Sequence, residues 1–245
     1  MQYRKILYNN YHSTQSGRAS GVDARSLFEI EKSQFGEEII PLIKHKAKDS
    51  VIFDIGCGSG SLLKVLQESG FKNSSGIDIS PEQVSIAHKM DVLNVSEGDA
   101  LEYIKSKNNS CDILFGMDII EHFTKDELVN LLQDCLGYLK PGGMAIFRTP
   151  NLDGILSSVY ANGDFTHENY LNASSAMQVC LACGFDKVKI ISAHMKIKNG
   201  FKELVRSLLW PLIKFQWKLY LFATARSSSN VLLTPNMIIL AHKPI

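Results

Sequence analysis

The seven residues Asp54–Gly60 have the types and spacing of a ligand-binding loop. They follow the apolar run Val51–Phe53, and glycine occupies positions 56, 58 and 60. Glycines let the backbone turn sharply and let a ligand approach the main chain closely. A dinucleotide fingerprint would need glycine where Ser61 stands, and no Lys-Ser or Lys-Thr pair follows to form a phosphate-binding loop. The loop therefore predicts a site where a ligand lies close to the main chain. This site is neither a dinucleotide fingerprint nor a phosphate-binding loop.

Two carboxylates follow at the ends of later apolar runs. Asp78 lies 20 residues after Gly58, where a carboxylate can accept two hydrogen bonds from a ribose diol. Asp99 follows a predicted third strand over 92–95, where a carboxylate could read an adenine amino group. These positions favour nucleoside binding, and the alternative is that both residues are loop or helix-capping carboxylates.

Together these motifs resemble the class I S-adenosylmethionine-dependent methyltransferases, over about Val51 to Phe147 and including the stretch from Phe115 to His122. The resemblance implies S-adenosylmethionine as the cofactor. It also implies a seven-stranded, mostly parallel Rossmann-like sheet with an antiparallel last strand. The implied cofactor contacts are Asp54, Gly56, Cys57, Gly58 and Gly60 for the methionine part, Asp78 and Ile79 for the ribose, Asp99 and Ala100 for the adenine, and Met117 for the methyl end.

Methyl transfer from a sulfonium is an in-line displacement, so the protein supplies alignment and, for a hydroxyl acceptor, proton removal. Glu121 and His122 follow the predicted fourth strand, on the edge where ligands bind in such sheets. His122 is a candidate general base because the ordinary pKa of histidine is near neutrality. The alternatives are that His122 orients the loop before Thr124 and that Glu121 is structural. The stretch 116–119 departs from the Asn/Asp-Pro-Pro-aromatic motif of nucleic-acid amino-methyltransferases, which argues against base methylation.

His167, in the polar and aromatic segment 162–170, is the preferred candidate for an acceptor-side base. The stretch Thr166–Glu168 resembles methyltransferases of bacterial surface-polysaccharide and glycolipid biosynthesis. That resemblance implies a hydroxyl of a sugar or glycan precursor as the acceptor. A helix-capping role for Thr166 and His167 is the alternative.

Neither a metal site nor a redox site is predicted. His167-Glu168 has no second histidine at helical spacing. Cys180 and Cys183 have a CxxC spacing but lie on a patterned helix, so buried thiols are the better interpretation.

The elements that must position these residues are short β-branched runs, typical of buried strands, that alternate with helices. Capping boxes predict helix starts at Ser80-Pro81 and at Thr124. Alternating strands and helices imply right-handed crossovers and a largely parallel sheet with helices on both faces. The predicted strand runs are 51–53, 75–77, 92–95, 111–115, 144–147, 188–191 and 237–240.

The composition fits a reduced, cytoplasmic globular protein. The chain has 245 residues, 45% of them apolar, with 26 basic against 25 acidic residues, and the five cysteines are an odd number. This charge balance argues against a nucleic-acid partner, and no signal peptide or membrane-spanning run is visible. The predicted organisation is an N-terminal flap over 1–35 and a methyltransferase domain over 36–245 with a helical insertion over 200–226. Tyr8, Tyr11 and His12 of the flap could close over the site or serve the structure only.

The predicted insertion carries one apolar and aromatic stripe together with basic residues, and Pro211 is expected to kink or split its helix. The pattern is typical of a helix on a membrane surface, here the inner face of the membrane. The preferred interpretation is a helix pair that packs on the core or on a second copy in a homodimer.

The function predicted from the sequence is methyl transfer from S-adenosylmethionine to an acceptor, with a sugar or glycan hydroxyl preferred. One alternative is a small-molecule or quinone-type O- or N-methyltransferase. The other is a cofactor-binding interaction module without turnover.

Overall fold

The computed structural model describes residues 2–16, 21–105, 107–197, 199–225 and 231–245. Seven strands form one sheet, and their bounds are β1 Ile52–Ile55, β2 Ser74–Asp78, β3 Val95–Glu97, β4 Cys111–Met117, β5 Leu139–Pro150, β6 Asp186–Ser192 and β7 Asn236–His242. Their order across the sheet is β3-β2-β1-β4-β5-β7-β6. β7 runs antiparallel to both β5 and β6, and the other pairings are parallel. The predicted seven-stranded sheet with an antiparallel last strand is confirmed.

Ten α-helices are formed by the described residues. They are α1 Gln2–Tyr8, α2 Ala24–Glu38, α3 Ile40–Ile43, α4 Ser61–Glu68, α5 Pro81–Lys89, α6 Ala100–Lys105, α7 Lys125–Tyr138, α8 Ser157–Ala161, α9 Ala173–Ala182 and α10 Gly200–Ala223. A π-helical turn covers His12–Ser16, and a 3₁₀ turn covers Ile120–His122.

Local capping signals start several helices where the sequence predicts. Ser80 caps α5 by accepting a hydrogen bond from the Gln83 backbone. Thr124 and Glu127 form a reciprocal capping box at the start of α7. Such caps satisfy backbone donors that have no partner inside the helix.

The core lies on both faces of the sheet. On β4, Leu114 packs into the cluster that contains the buried face of α7, while its neighbours Ile113 and Phe115 pack into the cluster around α2 and α4. This alternation follows from the two-residue period of a strand. The rigid two-sided core fixes the strand ends that carry the site.

The structure differs from the sequence predictions at several boundaries. The flap boundary at residue 35 falls inside α2, which packs into the core through Phe28 and Phe35. The third strand is Val95–Glu97 rather than 92–95, because residues 92–94 still connect it to α5. Pro211 lies inside α10 without splitting it. Met1, residues 17–20 and Arg226, which belong to the predicted flap and insertion, lie outside the described residues.

α10 is a 24-residue helix with no buried residue. None of the described helices is long and apolar enough to cross a membrane. The helix lies between β6 and β7, as the predicted insertion does.

Replacing Leu131 on α7 with alanine tests how much this core contributes to the stability of the fold. Leu131 is fully buried in the cluster on one face of the sheet, so the change should lower the free energy of unfolding by about 2–5 kcal/mol. Chemical denaturation measures this loss. Val129→Ala on the exposed side of α7 is the matched control, expected within about 0.5 kcal/mol of the wild-type chain. Equal losses from both variants would contradict the described packing of α7.

Candidate active site

A cavity of about 650 Å³ opens at the edge of the sheet where β1, β2 and β4 have their carboxyl ends. Ligands in open parallel sheets bind at this edge, and the volume is in the range of small-molecule and cofactor sites. The predicted contact residues that line it are Asp54, Gly56, Cys57, Gly58, Asp78, Ile79, Asp99, Ala100 and Met117.

Gly60 is the predicted contact residue that does not line this cavity. It caps α4 in the left-handed conformation, with φ of 76°. A Cβ atom there would lie 2.9 Å from Cγ1 of Val92. The glycine is therefore required by the turn and by packing, and its direct contact with the cofactor stays a prediction.

The glycine loop is joined to the end of β2 by a backbone hydrogen bond. The Gly58 amide donates to Oδ2 of Asp78 at 2.8 Å, and the Ser80 amide donates to Oδ1 at 2.8 Å. Gly58 has φ of 52°, and a Cβ built on it would meet no atom within 4 Å. A ligand can therefore approach this part of the main chain closely.

Asp54 is a buried carboxylate whose Oδ1 has no hydrogen-bond partner among the described residues. Burial, followed by the nearby charge of Asp78, raises the pKa of Asp54 to about 8. A buried polar group without a partner costs free energy. A ligand that brings a hydrogen-bond donor or positive charge would stabilise this carboxylate, and S-adenosylmethionine has both in its methionine part.

Asp99 lies at the rim and is exposed. Its Oδ1 accepts a hydrogen bond from the Leu101 amide at 2.8 Å, at the start of α6. The structure thus shows the helix-capping alternative, while Asp99 also contributes to the cavity lining.

A second group of predicted residues meets at the other end of the cavity. His122 lines it, and its ring centroid lies 4.8 Å from that of His167. Nε2 of His167 lies 4.0 Å from Oε1 of Glu121. Glu121 and His167 are not in the cavity lining, so His122 is the one of the three that faces it.

Hydrogen bonds set the tautomers of both histidines. Nδ1 of His167 lies 2.7 Å from the Ala161 carbonyl, which can only accept. Thr166 donates its hydroxyl proton to Asp164, so the same oxygen accepts from Nδ1 of His122 at 2.8 Å. In both rings Nε2 is therefore the nitrogen with a free lone pair. Burial, with His167 nearby, lowers the pKa of His122 to about 4, which keeps its ring neutral.

The predicted capping role of Thr166 and His167 is not found. α9 begins at Ala173 and is capped by Asn172. Thr166 instead bridges Asp164 and His122, and the Glu168 and Asn169 amides donate to the Glu121 carbonyl. The segment is fixed by these contacts with the turn after β4, which are long-range and have no local sequence signal.

The N-terminal segment covers this end of the cavity. Arg4 on α1 donates to both carboxylate oxygens of Glu127 and to the His122 carbonyl. Tyr8 and Tyr11 line the cavity, and each ring packs against the His122 ring, with centroids 6.2 and 6.3 Å apart. The side chain of His12 lies outside the described residues. The tyrosines predicted as part of a flap are thus wall residues.

Two polar groups of the wall, on α2 and β5, were not singled out from the sequence. Glu31 on α2 accepts hydrogen bonds from Ser59 and Ser61 beside the glycine loop. Arg148 on β5 binds Asp118 through its guanidinium and Glu38 at 3.0 Å. An arginine directly after the apolar run Met144–Phe147 was the available signal for the second group.

The cluster of Glu121, His122 and His167 has the composition of a cation site. One ligand atom from each side chain lies within 4.8 Å of the ligand atoms of the other two. No metal was predicted from the sequence because His167-Glu168 has no second histidine at helical spacing, whereas these ligands come from two distant segments. All five cysteines are buried free thiols, and the interpretation of Cys180 and Cys183 as buried thiols is confirmed.

A family model described as "Methyltransferase domain" matches residues 52–143. A ubiquinone biosynthesis O-methyltransferase of Colwellia psychrerythraea is 31% identical over 176 residues, covering 65% of this chain and 70% of that protein.

Solved methyltransferases share the fold. An S-adenosylmethionine-dependent methyltransferase from Archaeoglobus fulgidus superposes with a TM-score of 0.66 at 22% identity, covering 88% of this chain and 94% of the other. Human N-acetylserotonin methyltransferase in complex with the cofactor gives 0.62 at 16% identity, covering 98% and 59%. With the fold and the edge cavity, these findings show that the chain is an enzyme of the class I S-adenosylmethionine-dependent methyltransferases.

Proposed function

We propose that this enzyme methylates a ring hydroxyl of a small phenolic acceptor of the quinone-precursor type. The observation that supports this proposal most directly is the acceptor end of the cavity, where the neutral His122 ring lies against Tyr8 and Tyr11. Phe123 adds a further aromatic side chain to this wall. Such walls suit a flat aromatic ring, which packs edge-to-face or offset on its neighbours.

The chemistry of the hydroxyl also favours a phenol over a sugar. A phenol has an ordinary pKa near 10, as tyrosine does, and a sugar alcohol is a much weaker acid. A neutral imidazole is a weak base, so it assists the loss of a phenolic proton more effectively. The named relative is an O-methyltransferase of ubiquinone biosynthesis, which supports oxygen as the acceptor atom. The same relative does not support the sugar acceptor preferred from the sequence.

The reaction transfers one methyl group. The acceptor oxygen attacks the methyl carbon, the carbon–sulfur bond breaks, and its electron pair stays on sulfur to give S-adenosylhomocysteine. The hydroxyl proton leaves to solvent. His122 is unprotonated and faces the cavity. Its ring assists the transfer of this proton to solvent, either by accepting the proton itself or through a species that the ring binds. The His167 ring contacts the His122 ring, and Glu121 lies beside His167, so both act as positioning residues.

The cofactor lies along the glycine loop in this proposal. Asp54 faces the methionine part, Asp78 the ribose and Met117 the methyl end in this assignment. The three residues line one cavity at the ends of β1, β2 and β4, and β1 lies between the other two strands. S-Adenosylmethionine supplies the activated methyl group, and the protein supplies alignment.

The acceptor class is tested by incubating the enzyme and S-adenosylmethionine with an ortho-dihydroxybenzoate, a hexose and a primary amine. Mass spectrometry should show a methyl ether on the phenol with one S-adenosylhomocysteine per turnover. His122→Ala should lower kcat for the phenol by about 10²–10⁴-fold and leave cofactor affinity near the wild-type value. Methylation of the hexose or amine in place of the phenol would show that the proposed acceptor class is wrong.

The cofactor assignment is tested by Asp78→Ala. Loss of a charged hydrogen-bond acceptor should raise the Kd for S-adenosylmethionine by about 10–100-fold, measured by calorimetry. Asp126→Ala, an exposed carboxylate in the first turn of α7, is the matched control and should bind as the wild-type chain does. An unchanged Kd in Asp78→Ala would remove Asp78 from the cofactor site.

A further inference from the structure

We propose that Glu121, His122 and His167 bind a divalent transition-metal ion at the acceptor end of the cavity. Their ligand atoms lie within 4.8 Å of one another. A cation about 2.1 Å from each ligand needs separations of roughly 3–4.2 Å. Side-chain movements below about 1 Å would bring all three into range. Two imidazoles and one carboxylate suit Zn²⁺ and its first-row neighbours better than Mg²⁺ or Ca²⁺, which prefer oxygen ligands.

The surroundings of the three side chains fit ligation. Nδ1 of His167 donates to the Ala161 carbonyl, and Nδ1 of His122 donates to Thr166, which is in turn bound to Asp164. Histidines that bind metals usually donate their other ring N–H to such a carbonyl or carboxylate-linked partner. Oε2 of Glu121 accepts from Thr149 at 3.0 Å. Each ligand is therefore oriented by a second contact.

The charge of the cluster also favours cation binding. Glu121 is 2% exposed, and among the described residues no lysine or arginine forms an ion pair with it. A buried carboxylate facing two imidazole lone pairs places three electron-pair donors together. A divalent cation would bind all three, and its remaining coordination positions would face the cavity beside His122.

This role rests on the proposed function. A hydroxyl of the acceptor that coordinates the ion would lose its proton to solvent more readily, because a bound cation stabilises the oxyanion. The methyl group would then pass to the coordinated oxygen. His122 would thus act on the acceptor through the ion.

The test uses Co²⁺ as a probe, added to chelator-treated enzyme without any acceptor. One Co²⁺ per chain should give visible absorption bands, and Glu121→Gln and His167→Gln should each weaken its affinity by at least about 10-fold. The matched control is His194→Gln, which changes an exposed histidine 3.1 Å from Glu37 and should not alter binding. Thermal melting of each variant shows that it is folded.

Two outcomes would overturn the metal site: no Co²⁺ binding, or the same affinity in all three variants and the wild-type chain. The absorption signal needs no acceptor, so it is independent of the acceptor class. Phenol methylation that survives complete chelation would retain the proposed function and remove the metal from it.

A separate observation carries a second proposal, which concerns α10. We infer that the outward face of α10 docks on an anionic membrane surface. This face presents large apolar side chains that are 55–81% exposed, namely Phe201, Leu208, Leu212, Phe215, Leu219 and Phe222. From Leu208 onward these positions recur every three or four residues, and Phe201 lies two helical turns before Leu208, so they form one stripe along the helix.

The charges of α10 favour a membrane over a second copy of the chain. Lys202, Arg206, Lys214 and Lys218 outnumber Glu203, its one acidic residue. Arg206, Lys214 and Lys218 line a groove of about 510 Å³ between the helix and the ends of β6 and β7. With four basic residues and one acidic residue, α10 carries a net positive charge, so two copies of the helix repel each other, whereas anionic phosphate headgroups are complementary to it.

Vesicle cosedimentation tests this surface with the full chain. The enzyme should sediment with phosphatidylglycerol–phosphatidylcholine vesicles, less with pure phosphatidylcholine, and less at high salt. The double variant Leu212→Glu/Phe215→Glu should lose at least about 10-fold in vesicle affinity. Leu181→Glu, an exposed leucine on α9, is the matched control. Absence of vesicle binding, or a dimer in solution that the double variant dissociates, would overturn the proposal.

Discussion

The parallel pairing of β1 with β2 and with β4 is the constraint on which the site depends. Because the three strands run the same way, their carboxyl ends meet at one edge of the sheet. Asp54, Asp78 and Met117 are far apart in the sequence but line one cavity there. The two core clusters hold the strands from both faces, so the positions of these residues are set by packing rather than by the loops themselves.

The site is built from polar groups that burial makes costly in the free protein. The pKa of Asp54 is raised to about 8, and burial also raises the pKa of Glu121 well above its usual range. The positive charge of Arg148, which is held in place by Asp118 and Glu38, offsets part of this cost. Groups of this kind cluster at functional sites because a bound ligand supplies the missing partner. Stability and ligand binding are thus coupled at the same edge of the sheet.

The N-terminal segment closes the acceptor end through a few specific contacts. Arg4 joins α1 to the capping box of α7 through Glu127, and Tyr11 donates to Asp164 at 2.6 Å. The hydroxyl of Thr166 links Asp164 to His122. The walls that would contact an acceptor therefore come from three separate parts of the chain. Only the part after β4 belongs to the region matched as a methyltransferase domain.

The sequence by itself determined the alternation of strands and helices, the glycine loop and the helix caps. These signals are local, because a turn, a cap or an alternating strand depends on neighbouring residues. The tertiary structure alone decided that Glu121, His122 and His167 meet, that Tyr8 and Tyr11 form a wall, and that the apolar face of α10 is exposed. The spacing of residues along the chain does not reveal such contacts. They depend on how the packed sheet brings distant segments together, and on which faces it leaves uncovered.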